Sequence, residues 1–468
     1  GELPLEWYLH GRGKRIFTTT HNRNNKRSMR YILSFTLALT ALFGVAQQNE
    51  KLSLSIDEAI ALAKANNVAL KNAELDIDFA NSQVNEIKSQ GLPQVNGNAS
   101  FAHTYQIPTQ LIPGDFVGQP GTVIPVQFGV PFNVNAGIGI RQLLFDGTFF
   151  LGLKAASEFV NISKLSASSS EIDVKESVIK AYYMALISEK NLLQLEASWK
   201  NMQKVRDETQ AMYNEGFAEK LDVDRITLSA SNLELSISQL QNQAKLAKQL
   251  LLNSIGVNLN QELELTSNLP TETSLDLETV TFDPNNRIEM KLLDQQQSLN
   301  ELDLKRYKVG YLPSLYGNFS YGTSTFATKG QVGDLGNDWY ANGSYSLGLS
   351  VPIFDGFYKK AKVDQAEIEI NKTKNTKKQA VLGMNLQVSQ AKTNYANALK
   401  GLEIQKKSQA LAESIFNTTS IKFKEGLGSS FEMINAENEL TQAKTNYLNA
   451  LYNLNVAKID FDKALGNL

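Results

Sequence analysis

From Trp339 to Ile353 this chain is dominated by alternation. Trp339, Ala341, Tyr345, Leu347, Leu349, Val351 and Ile353 hold odd positions; Tyr340, Asn342, Ser344, Ser346, Gly348 and Ser350 hold even ones. Phe132, Val134, Ala136, Ile138 and Ile140 alternate likewise with Asn133, Asn135, Gly137 and Gly139, and Leu315, Phe319 and Tyr321 with Ser314, Asn318 and Ser320. Period two over such a length marks a two-faced strand. Each stretch is about 10–14 residues, the length of a tilted membrane-crossing strand rather than the ~5–6 of a soluble sandwich. Aromatics gather near the strand ends (Phe101, Tyr105, Trp339, Tyr340), as an interfacial girdle would. Only about four such strands are present, and four cannot cross a bilayer alone, because two edges would leave N–H and C=O groups unpaired in hydrocarbon. The sheet must close with copies of itself. Two chains would give about eight strands and a filled interior; three would give about twelve and a lumen. The small polar inward set of Asn, Ser and Gly suits a water-filled lumen, so the pattern predicts a barrel shared by at least three chains under cyclic symmetry.

Elsewhere the period changes. Thr148 to Glu215 and Phe357 to Glu425 contain no Pro and almost no Gly. Each is about 67 residues, roughly 100 Å as one helix. Apolar or small residues recur at three- and four-residue spacing, as at Val388, Ala391, Tyr395, Ala398 and Leu402. So narrow a seam cannot surround a globular core; such helices pack side by side as coiled coils. Tyr182, Tyr183 and Tyr395 read as seam packing, and the lysines Lys359 to Lys362 and Lys377–Lys378 as solvated faces.

The whole arrangement is written twice. GLPQVNGNASFAH (91–103) matches YLPSLYGNFSYGT (311–323), and GIGIRQLLFDG (137–147) matches SLGLSVPIFDG (346–356). A Gly-centred break inside helix recurs as MYNEGFAEKLDVDRITL (212–228) and KFKEGLGSSFEMINAENEL (422–440). Four landmarks in one order, counting the helix before each Leu-Pro, predict two tandem repeats. Repeat 1 spans 47–257, with a β-hairpin at 91–146, a long helix at 148–215 and a helix at 217–257. A linker follows at 258–285. Repeat 2 spans 286–468, with a hairpin at 311–355, a long helix at 357–425 and a helix at 429–466. The strands of each unit are expected to be joined by Gly/Pro-rich loops at about 107–131 and 323–338. Pro93 and Pro313 are expected to stop the incoming helices, and Gly147 and Gly356 to permit the strand-to-helix change.

Composition excludes more than it suggests. Cysteine is absent and there are three histidines, which removes thiolate and imidazole chemistry. A net charge of −2 leaves no footprint for nucleic acid. No cofactor, metal or nucleophile constellation is present, and no enzyme activity is expected. Lys26, Arg27 and Arg30 precede an apolar run, Tyr31 to Ala46, that ends in small residues. This is the order of a secretory signal peptide over 29–46, with 1–28 expected to be a non-native or upstream extension.

The opening LSLSIDEAIALAKANNVALK (52–71), the paired Leu-Pro strands, the paired Phe-Asp-Gly corners and the paired Gly turns resemble the TolC-type outer-membrane efflux proteins over 52–468. The resemblance implies an α+β membrane protein: a homotrimer with a shared twelve-stranded transmembrane β-barrel, continuous with an α-helical coiled-coil barrel through the periplasm. The 258–285 segment would join an equatorial belt. The implied partners are a periplasmic adaptor protein, an inner-membrane pump of RND, ABC or MFS type, and outer-membrane lipid. The implied function is an exit duct for a tripartite efflux or type I secretion system. The family's tunnel closes at the periplasmic tip, which here would contain the turns Gly216, Phe217, Gly426, Leu427 and Gly428, also the expected adaptor contact. Its acidic gate positions fall on Glu432 and Asn435, with Asp222 and Asp224 in the first unit. A latching Arg of the family falls on Gly428. Ser429-Ser430-Phe431-Glu432 also reads as a capping box, which would occupy Glu432 structurally. The bare pattern leaves open a trimeric barrel-anchored coiled-coil adhesin, whose anchor would be terminal, and a soluble periplasmic adaptor, which would not need the strands.

Overall fold

Strand β1 (Leu52–Leu54) leads into helix α1 (Ile56–Asn66), which starts at a complete capping box between Ser55 and Glu58. Asn67 ends α1 and caps α2 (Val68–Gln90), its carboxamide oxygen accepting from Ala69 N–H at 2.8 Å. This computed structural model describes residues 51–271, 280–327, 335–336 and 338–468. The expected signal peptide, the 1–28 extension and the middle of the 258–285 linker lie outside the described residues.

The long strands are β2 (Gln94–His103), β5 (Phe132–Phe145), β7 (Ser314–Ala327) and β8 (Tyr340–Ser350). They form one antiparallel sheet in the order β2-β5-β7-β8. The register keeps the two faces distinct. On one, Val95, Ile140, Phe319 and Tyr345 lie in a row, with Phe101 and Val134 paired further along. On the other, Ser100, Asn135 and Ser324 align, as do Asn98, Gly137, Gly322 and Asn342. Ser324 donates to Asn135 Oδ1 at 2.6 Å, and the Ser320 and Ser344 hydroxyls lie 2.8 Å apart. From Leu315 to Ala327 the sheet rises ~40 Å along the strand, or ~30 Å at a ~40° tilt, enough for an apolar band of ~25 Å. Tyr345 is 88% exposed on the apolar face.

Two loop expectations are corrected. The 107–131 stretch is not plain loop: β3 (Thr109–Pro113) and β4 (Val123–Gln127) pair as a hairpin. Its strands are only five residues each, too short for the alternation to stand out. The second connection begins after Ala327 rather than at 323, because Thr323 to Ala327 still pair with β5.

Each sheet crossing continues into long helix. Helix α3 (Gly147–Asn214) and α4 (Lys220–Ile255) form one hairpin. After β6 (Leu263–Leu265), which pairs with β1, α5 (Ile288–Val309) returns the chain to β7. Helix α6 (Tyr358–Lys424) and α7 (Ser430–Leu465) form the second hairpin. Among the described residues no helix is long and apolar enough to cross a membrane. Tyr182 is fully buried on α3; its hydroxyl donates to Leu54 O at 2.8 Å and accepts from Ser267 N–H at 3.0 Å. That pair of bonds fastens the short β-strands to mid-helix. Tyr395 and Phe461 stack between α6 and α7, 6.1 Å apart. Lys377 is not a solvated charge: its ammonium pairs with Asp294 of α5.

The corners combine prolines, glycine packing and aspartate caps. Helix α2 ends at Gly91 and α5 at Gly310, ahead of each proline; Pro93 and Pro313 sit immediately before the strands. A Cβ on Gly91 would lie 2.6 Å from Phe149 Cζ, so a side chain there would require that ring to move. Gly147 is similarly placed, since a Cβ there would meet Val309 Cγ1 at 2.2 Å. Gly356 alone provides a left-handed backbone, φ 64°, and Phe357 follows at φ 68°. The aspartates of the two Phe-Asp-Gly corners cap the helices: Asp146 Oδ1 accepts from Thr148 N–H at 2.7 Å, and Asp355 Oδ2 from Lys359 N–H at 3.1 Å.

Candidate functional site at the helical turns

The two hairpin turns are built alike. Gly216 (φ 81°) and Gly426 (φ 73°) reverse the chain in the left-handed region. Phe217 N–H donates to Met212 O at 2.8 Å and Leu427 N–H to Lys422 O at 2.9 Å, closing each helix end. Phe217 and Leu427 themselves stand out, 85% and 81% exposed. Such apolar side chains at a loop tip are available to a partner.

Beyond each turn a capping box starts the return helix. Glu219 N–H donates to Asp222 Oδ2 at 3.3 Å. Ser429 N–H donates to Glu432 Oε2 at 3.2 Å, and Glu432 N–H donates to Ser429 Oγ at 3.2 Å. Asp222 and Glu432 therefore both serve helix N-termini, where the helix dipole also favours a carboxylate. Glu432, Asn435 and Asp224 are exposed, and among the described residues none has a hydrogen bond tying one hairpin to the other. Asp222 has one: Ser430 Oγ donates to Asp222 Oδ1 at 2.5 Å, joining α7 to α4. Beside it the Arg225 guanidinium lies 6.0 Å from the Phe431 ring centroid. Gly428 cannot latch; its N–H donates to Lys422 O at 3.1 Å, and a Cβ there would lie 3.2 Å from Phe423 N.

Just above the turns, Met202, Val205, Ile226, Ala230, Phe423 and Met433 form one buried cluster drawn from all four helices. At the turn end the hairpins are held together by this apolar cluster, the Ser430–Asp222 hydrogen bond and the Arg225–Phe431 contact; further along, Ser198 pairs with Thr441 and Lys180 with Asp460. Sequence reasoning missed Ser430, Arg225 and Phe431. The capping-box spelling pointed to Ser429 and Glu432, and nothing in it indicates which neighbour meets the other hairpin.

The model of the family described as outer membrane efflux protein matches residues 59–257 and 290–467. The outer membrane protein TolC of Escherichia coli (strain K12) is 21% identical over 429 residues, covering 87% of this chain and 81% of that protein. Among solved structures, the fold is similar to the CmeC outer membrane channel of Campylobacter jejuni, with TM-score 0.69, 14% identity, and coverage of 88% of this chain and 85% of that one. It is also similar to the outer membrane protein VceC of Vibrio cholerae, with TM-score 0.68, 14% identity, and coverage of 88% and 96%. The two-faced sheet, the long helical hairpins and the match over most of the chain agree, and the chain belongs to the outer membrane efflux protein family, as an outer-membrane efflux channel.

Proposed function

We propose that three copies of this chain form the exit duct of a tripartite efflux or type I secretion assembly. In this reading the duct passively conducts cargo from an inner-membrane pump (RND, ABC or MFS type), through a periplasmic adaptor, to the exterior. The observation that carries the reading is the sheet. It is two-faced, it has four strands, and among the described residues the outer sides of β2 and β8 have no partner strand within the chain. In hydrocarbon each unpaired backbone group costs several kcal/mol, and a ten-residue edge presents about ten of them. Pairing β2 of one copy with β8 of the next removes both edges. Twelve strands leave a lumen lined by the Asn/Ser/Gly face.

The helices support the same closure. On α4, Leu221, Leu228 and Leu235 recur every seven residues and are 51%, 64% and 61% exposed in the single chain. On α6, Ile404 and Leu411 are likewise exposed and again lie seven apart. A heptad of exposed apolar residues is a seam awaiting another helix. The exposed Phe217 and Leu427 are the proposed adaptor contacts, and Glu432, Asn435, Asp222 and Asp224 the proposed lining of the tip gate.

The test is direct. The protein purified in detergent is weighed by light scattering and then inserted into a planar bilayer. Three chains per particle and a discrete conductance are expected. A monomer, or a trimer that never conducts, overturns the duct.

A further inference from the structure

Glu437 is 1% exposed, and among the described residues neither of its carboxylate oxygens has a hydrogen-bond partner. It lies on α7, in the stretch that packs α7 against α3 directly above the apolar cluster of the turns. The hydroxyl nearby, Ser198 Oγ on α3, is paired with Thr441 Oγ1 at 2.9 Å. A carboxyl that remains ionised in such a place loses its hydration, and the Ser198 hydroxyl, already paired with Thr441, offsets only part of that loss. We propose that Glu437 is a proton-controlled latch between the two helical hairpins: neutral, it lets α7 close on α3; ionised, it drives the turn end of the hairpins apart.

The surrounding charges do not rescue the ionised form. At this height Lys200 and Lys204 on α3, Glu234 on α4 and Glu413 on α6 are exposed to solvent, as is Glu439 on α7. Lys444, about two turns along α7, exerts a field on the carboxyl but makes no ion pair with it. Burial pushes the Glu437 carboxyl above its ordinary value, and the Ser198 hydroxyl and the Lys444 charge oppose this only in part. The sign follows. With its pKa raised in the packed arrangement and ordinary in the separated one, the packed arrangement is favoured in acid. It loses ground as pH climbs above the usual carboxylate range, about tenfold in population for each pH unit until the packed carboxyl itself ionises.

The chain has no cysteine, so paired spin labels enter cleanly. Phe217→Cys and Leu427→Cys place one label on each exposed turn. Distances between them are read in the purified, lipid-reconstituted protein at pH 5 and pH 8.5, without adaptor or pump, so the result is independent of the transport assembly. A population at longer distance should grow at least tenfold between the two pH values in the otherwise wild-type protein. Glu437→Gln and Glu437→Met, both neutral, should each abolish that growth. Unchanged distances in the parent, or a pH response that survives both substitutions, overturns the latch.

Discussion

Asp222→Asn is expected to loosen the turn end more than any change at Glu432. Asp222 has two duties: it completes a capping box and accepts the Ser430 hydroxyl at 2.5 Å. Converting it to the amide weakens the cap, worth about 0.5–1 kcal/mol. It also replaces a charge-assisted bond by a neutral one; that loss is taken as about 1–1.5 kcal/mol because the group is only half-buried. Together they amount to about 2 kcal/mol, or a roughly 30-fold rise in the separated state. Glu432→Ala loses only a cap, about 1 kcal/mol and near fivefold. The assay is single-channel recording of the reconstituted protein, scored as the fraction of time in the larger conductance. Ser430→Ala should reproduce most of the Asp222→Asn effect, and the double variant should fall well short of the product of the two, since both remove one bond. Additive effects, or a larger effect at Glu432, would refute the assignment of the tie to Asp222.

Other expectations concern the rest of the molecule. Tyr182→Phe leaves Leu54 O and Ser267 N–H without their buried partner and should cost about 2–4 kcal/mol, read as faster hydrogen exchange at Ser267; unchanged protection there would exclude the tether. Gly147→Ala forces a methyl against Val309 and should destabilise by about 1–3 kcal/mol, with recovery in Gly147→Ala/Val309→Ala; a loss that the second change does not relieve would point away from steric contact. The Arg287 guanidinium beside Glu289 holds that carboxyl below its ordinary value. Its contribution to the packing of the start of α5 is therefore complete above the usual carboxylate pKa and fades as pH falls through the lowered one, which proteolysis near residue 287 across an acid titration would reveal. If three Glu432 carboxylates meet on the axis, Glu432→Ala should also weaken block by multivalent cations; equal block in both proteins would place Glu432 off the axis.

The strands Phe132–Phe145 and Ser314–Ala327 were legible because a two-faced sheet forces strict alternation, and the register places the same residues on the same faces. The long helices were legible because nothing within them breaks the pattern. The corners were less so. Gly147 and Gly91 carry ordinary helical backbone, and the space that favours glycine there is set by Val309 and Phe149, side chains remote in sequence. The capping aspartates Asp146 and Asp355 were spelled in the Phe-Asp-Gly motif, where the glycine is the more conspicuous residue. At the turns, the sequence marked the acids that begin each helix. Whether one of them crosses to the other hairpin depends on how the hairpins abut, which no local pattern encodes. Glu437 illustrates the same limit: in the sequence it is one more glutamate on a polar helix, and only packing reveals it as buried.

These magnitudes also constrain what opens the tip. Met202, Ile226 and Met433 are at most 2% exposed, and full burial of such side chains is worth about 1.5–3 kcal/mol each. Separating the hairpins to expose about half of that surface on these three residues alone costs about 2–5 kcal/mol, before Phe423 and Val205 are counted. Loss of the Asp222 tie supplies about 2 kcal/mol, and ionisation of Glu437 about 1.4 kcal/mol for each pH unit above the ordinary carboxylate value. Loss of the Asp222 tie alone raises the separated population without making it the majority, and ionisation of Glu437 adds to that bias as pH rises until the packed carboxyl itself ionises. On the proposed reading, a partner that covers the exposed apolar surface would make the opening last, with Phe217 and Leu427 as its proposed first contacts. The consequence is measurable: Asp222→Asn at pH 5, where Glu437 adds little, should flicker rather than remain open, whereas a partner bound at both turns should convert flicker into a lasting open state. Persistent opening of the isolated variant would mean that the apolar cluster contributes far less than its burial implies.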